Sequence, residues 1–164
     1  MLNTRMEGAD LRRVRMEAAV LRGARMEGAF LIGARMERAD LGWVTMEGAD
    51  LRRAQMEAAD LSWTRVDGAN LIGARMDGAT DLMAVNTFGA AAQGVDWSKV
   101  NWTADQIKSM FGDASVTLPE GISRPAHWPD WELPSRTEND FHTQWQKWLS
   151  NPDAYEPPEN PETP

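Results

Sequence analysis

Every fifth residue from Met6 to Met76 is large and apolar: Met6, Leu11, Met16, Leu21, Met26, Leu31, Met36, Leu41, Met46, Leu51, Met56, Leu61, Val66, Leu71 and Met76. Two residues before each stands a small or β-branched residue, Ala at eleven of the fifteen positions and Thr4, Val14, Val44 and Thr64 at the others. The apolar spacing is therefore 2, 3, 2, 3. That rhythm excludes both regular elements. On an α-helix a step of five advances about 500°, which scatters the large residues round the cylinder. On a flat strand an odd step sends successive large residues to opposite faces. A chain that bends once per five residues keeps all of them inside. The period predicts a coiled polygon with one short, strand-like side per unit.

Units such as Ala9-Asp10-Leu11-Arg12-Arg13, Ala49-Asp50-Leu51-Arg52-Arg53 and Ala69-Asn70-Leu71-Ile72-Gly73 resemble the pentapeptide-repeat family, whose unit is A-(D/N)-L-x-x. The resemblance implies an all-β solenoid, a right-handed quadrilateral β-helix with four units per coil. Past Met76 the phase slips by one residue between Gly78 and Asp81. Beyond the slip the large slots read Leu82, Thr87, Ala92, Trp97 and Trp102, behind the small slots Thr80, Val85, Ala90, Val95 and Val100. Residues 1–102 are expected to form about five coils, stacked at about 4.8 Å into a rod about 24 Å long. Its two ends are open edges that need covers.

After Trp102 the period is lost. Thr103 to Gln106 is a capping-box pattern before Ile107, Met110 and Phe111, which predicts a short helix over about 103–111. Residues 112–134 hold Pro119, Pro125, Pro129 and Pro134 with Trp128 and Trp131, an ordered but irregular segment, because Trp needs a surface to cover. Ser135 to Glu138 reads as a second capping box. Phe141, Trp145, Trp148 and Leu149 then fall at i, i+4, i+7 and i+8, one face of a helix over about 137–149. Residues 103–150 are thus expected to form a C-terminal cap with two short helices. From Asn151 onward Pro and Glu dominate, which predicts a disordered acidic tail over 151–164. The stretch from Phe111 through Trp131 resembles a tail of bacterial pentapeptide-repeat proteins of unknown function.

Composition narrows the chemistry. The chain carries 17 Lys and Arg against 25 Asp and Glu, a formal net charge of −8. Nearly all of that excess acid lies after residue 102, so the rod is close to neutral. Without a basic footprint, direct nucleic-acid binding is not expected. There is no Cys, which excludes disulfides, thiolate zinc sites and cysteine nucleophiles. His127 and His142 are too few for a multi-histidine metal centre, and His127, beside Trp128, is expected to pack. No phosphate-cradling glycine fingerprint occurs, and the regularly spaced acids face water beside Arg. No catalytic residue, cofactor or metal is therefore expected, and an enzyme is not expected. No apolar run reaches 18 residues and the first 30 carry Arg and Glu throughout, so the expected location is cytoplasmic.

With four units per coil, residues 20 apart share a face. Arg5, Arg25 and Arg65 stand beside Glu7, Glu27, Glu47 and Asp67 on one face, and Arg15, Arg35 and Arg75 beside Glu17, Glu37, Glu57 and Asp77 on the opposite one. Such ladders read as solvated surface. A third face carries Phe30, Ile32 and Ile72 among Arg12, Arg13, Arg52 and Arg53, and the fourth carries Val20, Trp43 and Trp63. Outward Trp43 and Trp63, one coil apart, mark a contact surface, covered either by the chain's own C-terminal helix or by a partner. Candidate protein-contact residues are Trp43, Trp63, Phe30, Ile32 and Ile72. The helix stripe Phe141, Trp145, Trp148 and Leu149 is expected to dock on the last coil at Trp97 and Trp102, covering its open edge.

These features predict a non-catalytic interaction or scaffold module with an unidentified protein partner. An open coil end would also let two copies stack, or follow a membrane-linked upstream domain in relatives. The alternative is DNA mimicry: a resemblance to the quinolone-resistance branch of the family implies a rod that occupies the DNA site of a type II topoisomerase. A short, near-neutral rod speaks against it.

Overall fold

Each five-residue unit makes the same local bend. The residue before the large slot is extended and bridges to its counterpart one coil on. The two residues after the large slot turn the corner, the second with φ between +55° and +76° at every such corner from Gly8 to Gly73 and again at Ala84, Gly89 and Gly94. That left-handed conformation is the reason Gly recurs at this slot. A computed structural model describes residues 4–135 and 139–162.

Parallel bridges join Arg5 to Arg25, Arg25 to Thr45 and Thr45 to Arg65, and the other sides repeat the same 20-residue step. The large slots from Met26 to Leu71 and the Ala slots between them point inward and are buried. Met6, Leu11, Val14, Met16 and Leu21 of the first coil are only partly buried. The bridges lengthen from 20 residues at Gln55–Arg75 to 21 at Asp60–Asp81, so the extra residue lies between Arg75 and Asp81. Asp77 accommodates it: its carboxylate accepts the N–H groups of Ala58 and Ala79, while the Thr80 hydroxyl donates to the Met56 carbonyl.

The ladder does not stop at Trp102. Strand β1 (Ala91–Ala92) pairs in parallel with β2 (Phe111–Gly112), and Asp96 bridges to Thr117. Between them α1 (Ala104–Lys108) takes the place of one side of a coil. Gln106 Nε2 donates to the Leu82 and Val85 carbonyls, and the Gly89 N–H donates to Ser109. Thr103 and Gln106 cap α1 reciprocally. The helix is shorter than the expected 103–111, because Phe111 leaves it to complete the ladder.

Helix α2 (Phe141–Ser150) begins later than the expected 137. Its cap is Asp140, whose carboxylate accepts the Thr143 N–H at 2.7 Å, in place of the Ser135-to-Glu138 box. Residues 136–138 of that box lie outside the described residues. The tail expected to be disordered returns to the fold as far as Pro158. A 3-10 turn (Pro152–Ala154) brings Tyr155 edge-on to Phe111, and the Trp131 indole donates to the Pro158 carbonyl. Composition alone missed this, because one aromatic among prolines is enough to find an apolar seat. Among the described residues no helix is long and apolar enough to cross a membrane.

Candidate protein-contact site

Trp43 and Trp63 occupy the second corner position of their units, at φ +62° and +60°. The left-handed region costs a non-Gly residue about 1–2 kcal/mol. The same slot one coil away on either side holds Gly23 and Ala84. The two indoles lie flat on each other, with centroids 5.1 Å apart and planes within 6°. Trp43 is 55% exposed and Trp63 46%, and Val20 and Met83 are exposed with them. Arg13, Ala18, Arg38, Arg53, Ala58 and Ala84 share this corner conformation, so it belongs to the coil; the exposed stack is what sets Trp43 and Trp63 apart.

Beside the indoles stand Asp40, Asp60 and Asp81, bridged one above another. Arg22, from the coil below, reaches Asp40 at 3.1 Å and Asp60 at 2.8 Å. Its guanidinium lies over Gly42, where a Cβ would come within 2.8 Å of it. Burial pushes the Asp60 carboxyl up, but the Ser62 hydrogen bonds and the Arg22 charge outweigh this and hold its pKa below the ordinary value. Asp81 accepts the Met83 N–H at 2.9 Å. Among the described residues, no Lys or Arg reaches Asp81 within ion-pair distance.

The remaining contact candidates sit on another side of the coil. Phe30 is exposed, bridged between Asp10 and Asp50. Ile32 and Ile72 line a groove of about 550 Å³ with Phe141 and His142 at the start of α2. Ile72 also packs against the cluster that α2 forms.

The stripe of α2 does not meet Trp97 and Trp102. Phe141, Trp145 and Trp148 gather round Phe111 and Ala91 on the outer side of the ladder, with Leu149 packed against them. The Trp145 indole donates to the Gly89 carbonyl at 2.8 Å. Trp97 and Trp102 instead fill inward slots, with ring centroids 5.2 Å apart, in the core with Ile107, Met110, Val116 and Trp128. An inward side chain offers no outer face to a helix, whereas Phe111, outward on β2, offers one. Sequence reasoning missed Phe111 in this role, along with Arg22, the Asp40–Asp60–Asp81 column and Met83. A signal existed: Val116-Thr117-Leu118 echoes Val95-Asp96-Trp97, 21 residues earlier, the same step as the slipped ladder.

The family model for pentapeptide repeats matches residues 2–38, 15–53, 34–73 and 54–80, in eight copies. No curated protein matches the chain in sequence. Similar solved structures include a pentapeptide repeat protein from the thylakoid lumen of Arabidopsis thaliana, 27% identical, covering 63% of this chain and 72% of its own, with a TM-score of 0.42. Another is a pentapeptide repeat protein from Nostoc PCC 7120, 25% identical over 70% of this chain and 77% of its own, with a TM-score of 0.41. The plasmid-mediated fluoroquinolone resistance protein QnrB1 is 14% identical over 75% of this chain and 82% of its own, with a TM-score of 0.30.

Proposed function

The chain belongs to the pentapeptide-repeat family, and from that premise we propose that it is a non-catalytic protein-interaction module. In this reading a right-handed rod of about five coils is a rigid support. Residues 103–150 cover its end, and the Trp43/Trp63 edge is the face offered to a partner. One observation carries it: two stacked indoles stay about half exposed, while every other Trp in the described chain finds cover within the fold. An aromatic pair that the chain leaves uncovered makes sense against a second protein.

The DNA-mimic alternative needs unbroken acidic faces. Here guanidinium groups thread the acid columns. Arg25 lies 3.3 Å from Glu7 and 3.2 Å from Glu27, and Arg35 lies 3.0 Å from Glu17 and 3.5 Å from Glu37. Where Thr45 replaces Arg in the column, its hydroxyl donates to Glu27 at 2.8 Å. These pairs favour the interaction reading.

The test is site-specific photo-crosslinking in the native cell, with a photoreactive phenylalanine analogue in place of Trp43 or Trp63 and, as control, of Glu17. A discrete adduct from positions 43 and 63 but not from 17 is the expected result. Equal labelling at all three, or none, would remove this edge as the interface.

A further inference from the structure

We infer that the Trp43/Trp63 edge docks an arginine-bearing basic segment of a partner protein, with a partner guanidinium seated on Asp81 beside the indoles. This rests on the interaction reading above and names the chemistry of the partner. The chain already displays the arrangement once. Arg22 rises from its corner, lies over Gly42, and joins Asp40 to Asp60. One coil on, the carboxylate pair repeats as Asp60 and Asp81, the position equivalent to Arg22 is Gly42, and Ser62 stands where Gly42 lets Arg22 lie close. An incoming guanidinium would therefore sit farther out than Arg22 does, on Asp81, a carboxylate to which no described residue brings a cation.

The aromatic pair completes the seat. In the column Gly23, Trp43, Trp63, Ala84, the stacked pair is flanked in register by Gly and Ala. Guanidinium is planar, weakly hydrated and drawn to the indole face, and its fork suits carboxylate. Charge complementarity sets the sign of the partner. The rod as a whole is close to neutral, but in the column Val20, Asp40, Asp60, Asp81 three carboxylates are matched by Arg22 alone among the described residues. A proline-rich peptide would stack on the indoles without needing Asp81, and an oligosaccharide could donate hydroxyls to Asp81 but, being neutral, would bind without the salt dependence of a guanidinium pair.

The experiment titrates the full ¹⁵N-labelled chain with an N-acetylated, C-amidated Gly-Arg-Gly-Arg-Gly peptide. A second titration uses the same peptide with citrulline for arginine, which keeps the shape and loses the charge. The readout is the indole N–H resonances of Trp43 and Trp63, assigned by their loss in Trp43→Gly and Trp63→Gly. The arginine peptide should shift both, and binding should weaken as salt is raised. Affinity should fall about tenfold for the citrulline peptide, for Asp81→Asn, and for Trp63→Gly read at Trp43.

Equal shifts from both peptides, unchanged binding by Asp81→Asn, or stronger shifts from a proline-rich peptide or an oligosaccharide would overturn the assignment. Should crosslinks form at positions 43 and 63 while the arginine peptide moves neither resonance, the interaction reading stands and the arginine assignment falls. Should both experiments fail, both readings fall.

Discussion

The imidazole of His127 lies flat on the indole of Trp148, with ring centroids 4.8 Å apart and planes within 4°. Its Nε2 sits 2.8 Å from the Met110 carbonyl, which fixes the tautomer with the proton on Nε2. The Trp128 indole donates to the same oxygen. The stack ties the irregular segment over the last coil to α2 on its flank.

Burial lowers the His127 pKa below its ordinary 6.5, and Lys108 adds to this against the Met110 bond. The unfolded chain therefore takes up the proton first as pH falls. The stabilising contribution of neutral His127 is complete above about pH 6.5 and is lost as pH drops through that value toward the lower folded one. The urea midpoint should fall between pH 7.5 and 5.5, and His127→Phe, which keeps the stack, should flatten the slope. An unchanged slope in that variant would exclude His127 as its source.

Replacing Trp43 and Trp63 by Gly should leave the fold standing. Relief of left-handed strain, about 1–2 kcal/mol per residue, is set against loss of the stack, about 0.5–1.5 kcal/mol. The greater freedom of Gly in the unfolded chain also counts against the variant. The net change should stay within about 1 kcal/mol by urea denaturation. A loss of more than about 2 kcal/mol would make the pair a structural device.

Leu41→Asp or Leu51→Asp places an unpaired charge where the native side chain is fully buried, at a cost of several kcal/mol. Neither variant should give a cooperative melt. Arg12 is exposed, and its paired Asp10 is held down to a pKa of about 2 chiefly by the Arg12 hydrogen bond. Arg12→Ala should leave the unfolding midpoint at pH 7 unmoved within error. Equal effects from the two classes would mean that inside and outside are exchanged.

The coil was legible because a steric rule writes itself into every unit: Leu51 must face in and Gly48 must turn the corner, so each period repeats the same letters. The slip was legible for the same reason, since Asp81-Leu82 keeps the unit and changes only its phase. The last turn was not. Phe111 and Gly112 join the ladder with α1 standing in for a unit, so the period is broken before them, and only the faint echo of Val95-Asp96-Trp97 in Val116-Thr117-Leu118 marks that turn. The seat of α2 was hidden as well. Its stripe announced an apolar partner, but Trp97 and Trp102 were the visible candidates only as long as their inward direction went unused. At the contact edge Trp43 and Trp63 stood out by size, whereas the Asp column matters through which cation is absent, a relation between coils and not a motif.

Cutting the chain after Trp102 removes Ile107, Met110, Phe111 and Trp128 and lays bare the core against Trp97 and Trp102. That fragment should aggregate, as followed by light scattering. Cutting after Ser150 removes Tyr155, whose hydroxyl meets Gln144 at 3.2 Å and whose pKa burial pushes up to about 12. Losing this half-buried ring should cost about 1–2 kcal/mol in urea denaturation. A monomeric 1–102 fragment, or a 1–150 fragment as stable as the full chain, would refute the respective role.

Gly112→Ala tests the cover of the last coil. Its Cβ would fall 2.6 Å from the Trp128 ring, which is buried and has little room to retreat. The displaced indole would lose its bond to Met110. The variant should lose about 1–3 kcal/mol, with the Trp128 indole resonance shifted in the NMR spectrum. An unshifted resonance would show that the ring is not seated on Gly112.

The bonds from Met6 to Arg25, from Met26 to Thr45 and from Met46 to Arg65 join successive coils along the rod's length. Tension applied to the two ends would therefore meet these contacts in series, peeling coils singly instead of shearing a whole ladder at once. Each released coil would pay out about 20 residues of contour, roughly 65 Å. Under load the molecule would be an extensible tether that lengthens in even increments. Single-molecule pulling should record a sawtooth with that spacing, and one abrupt rupture would show instead that α2 and the segment around Trp128 clamp the coils into a single mechanical unit.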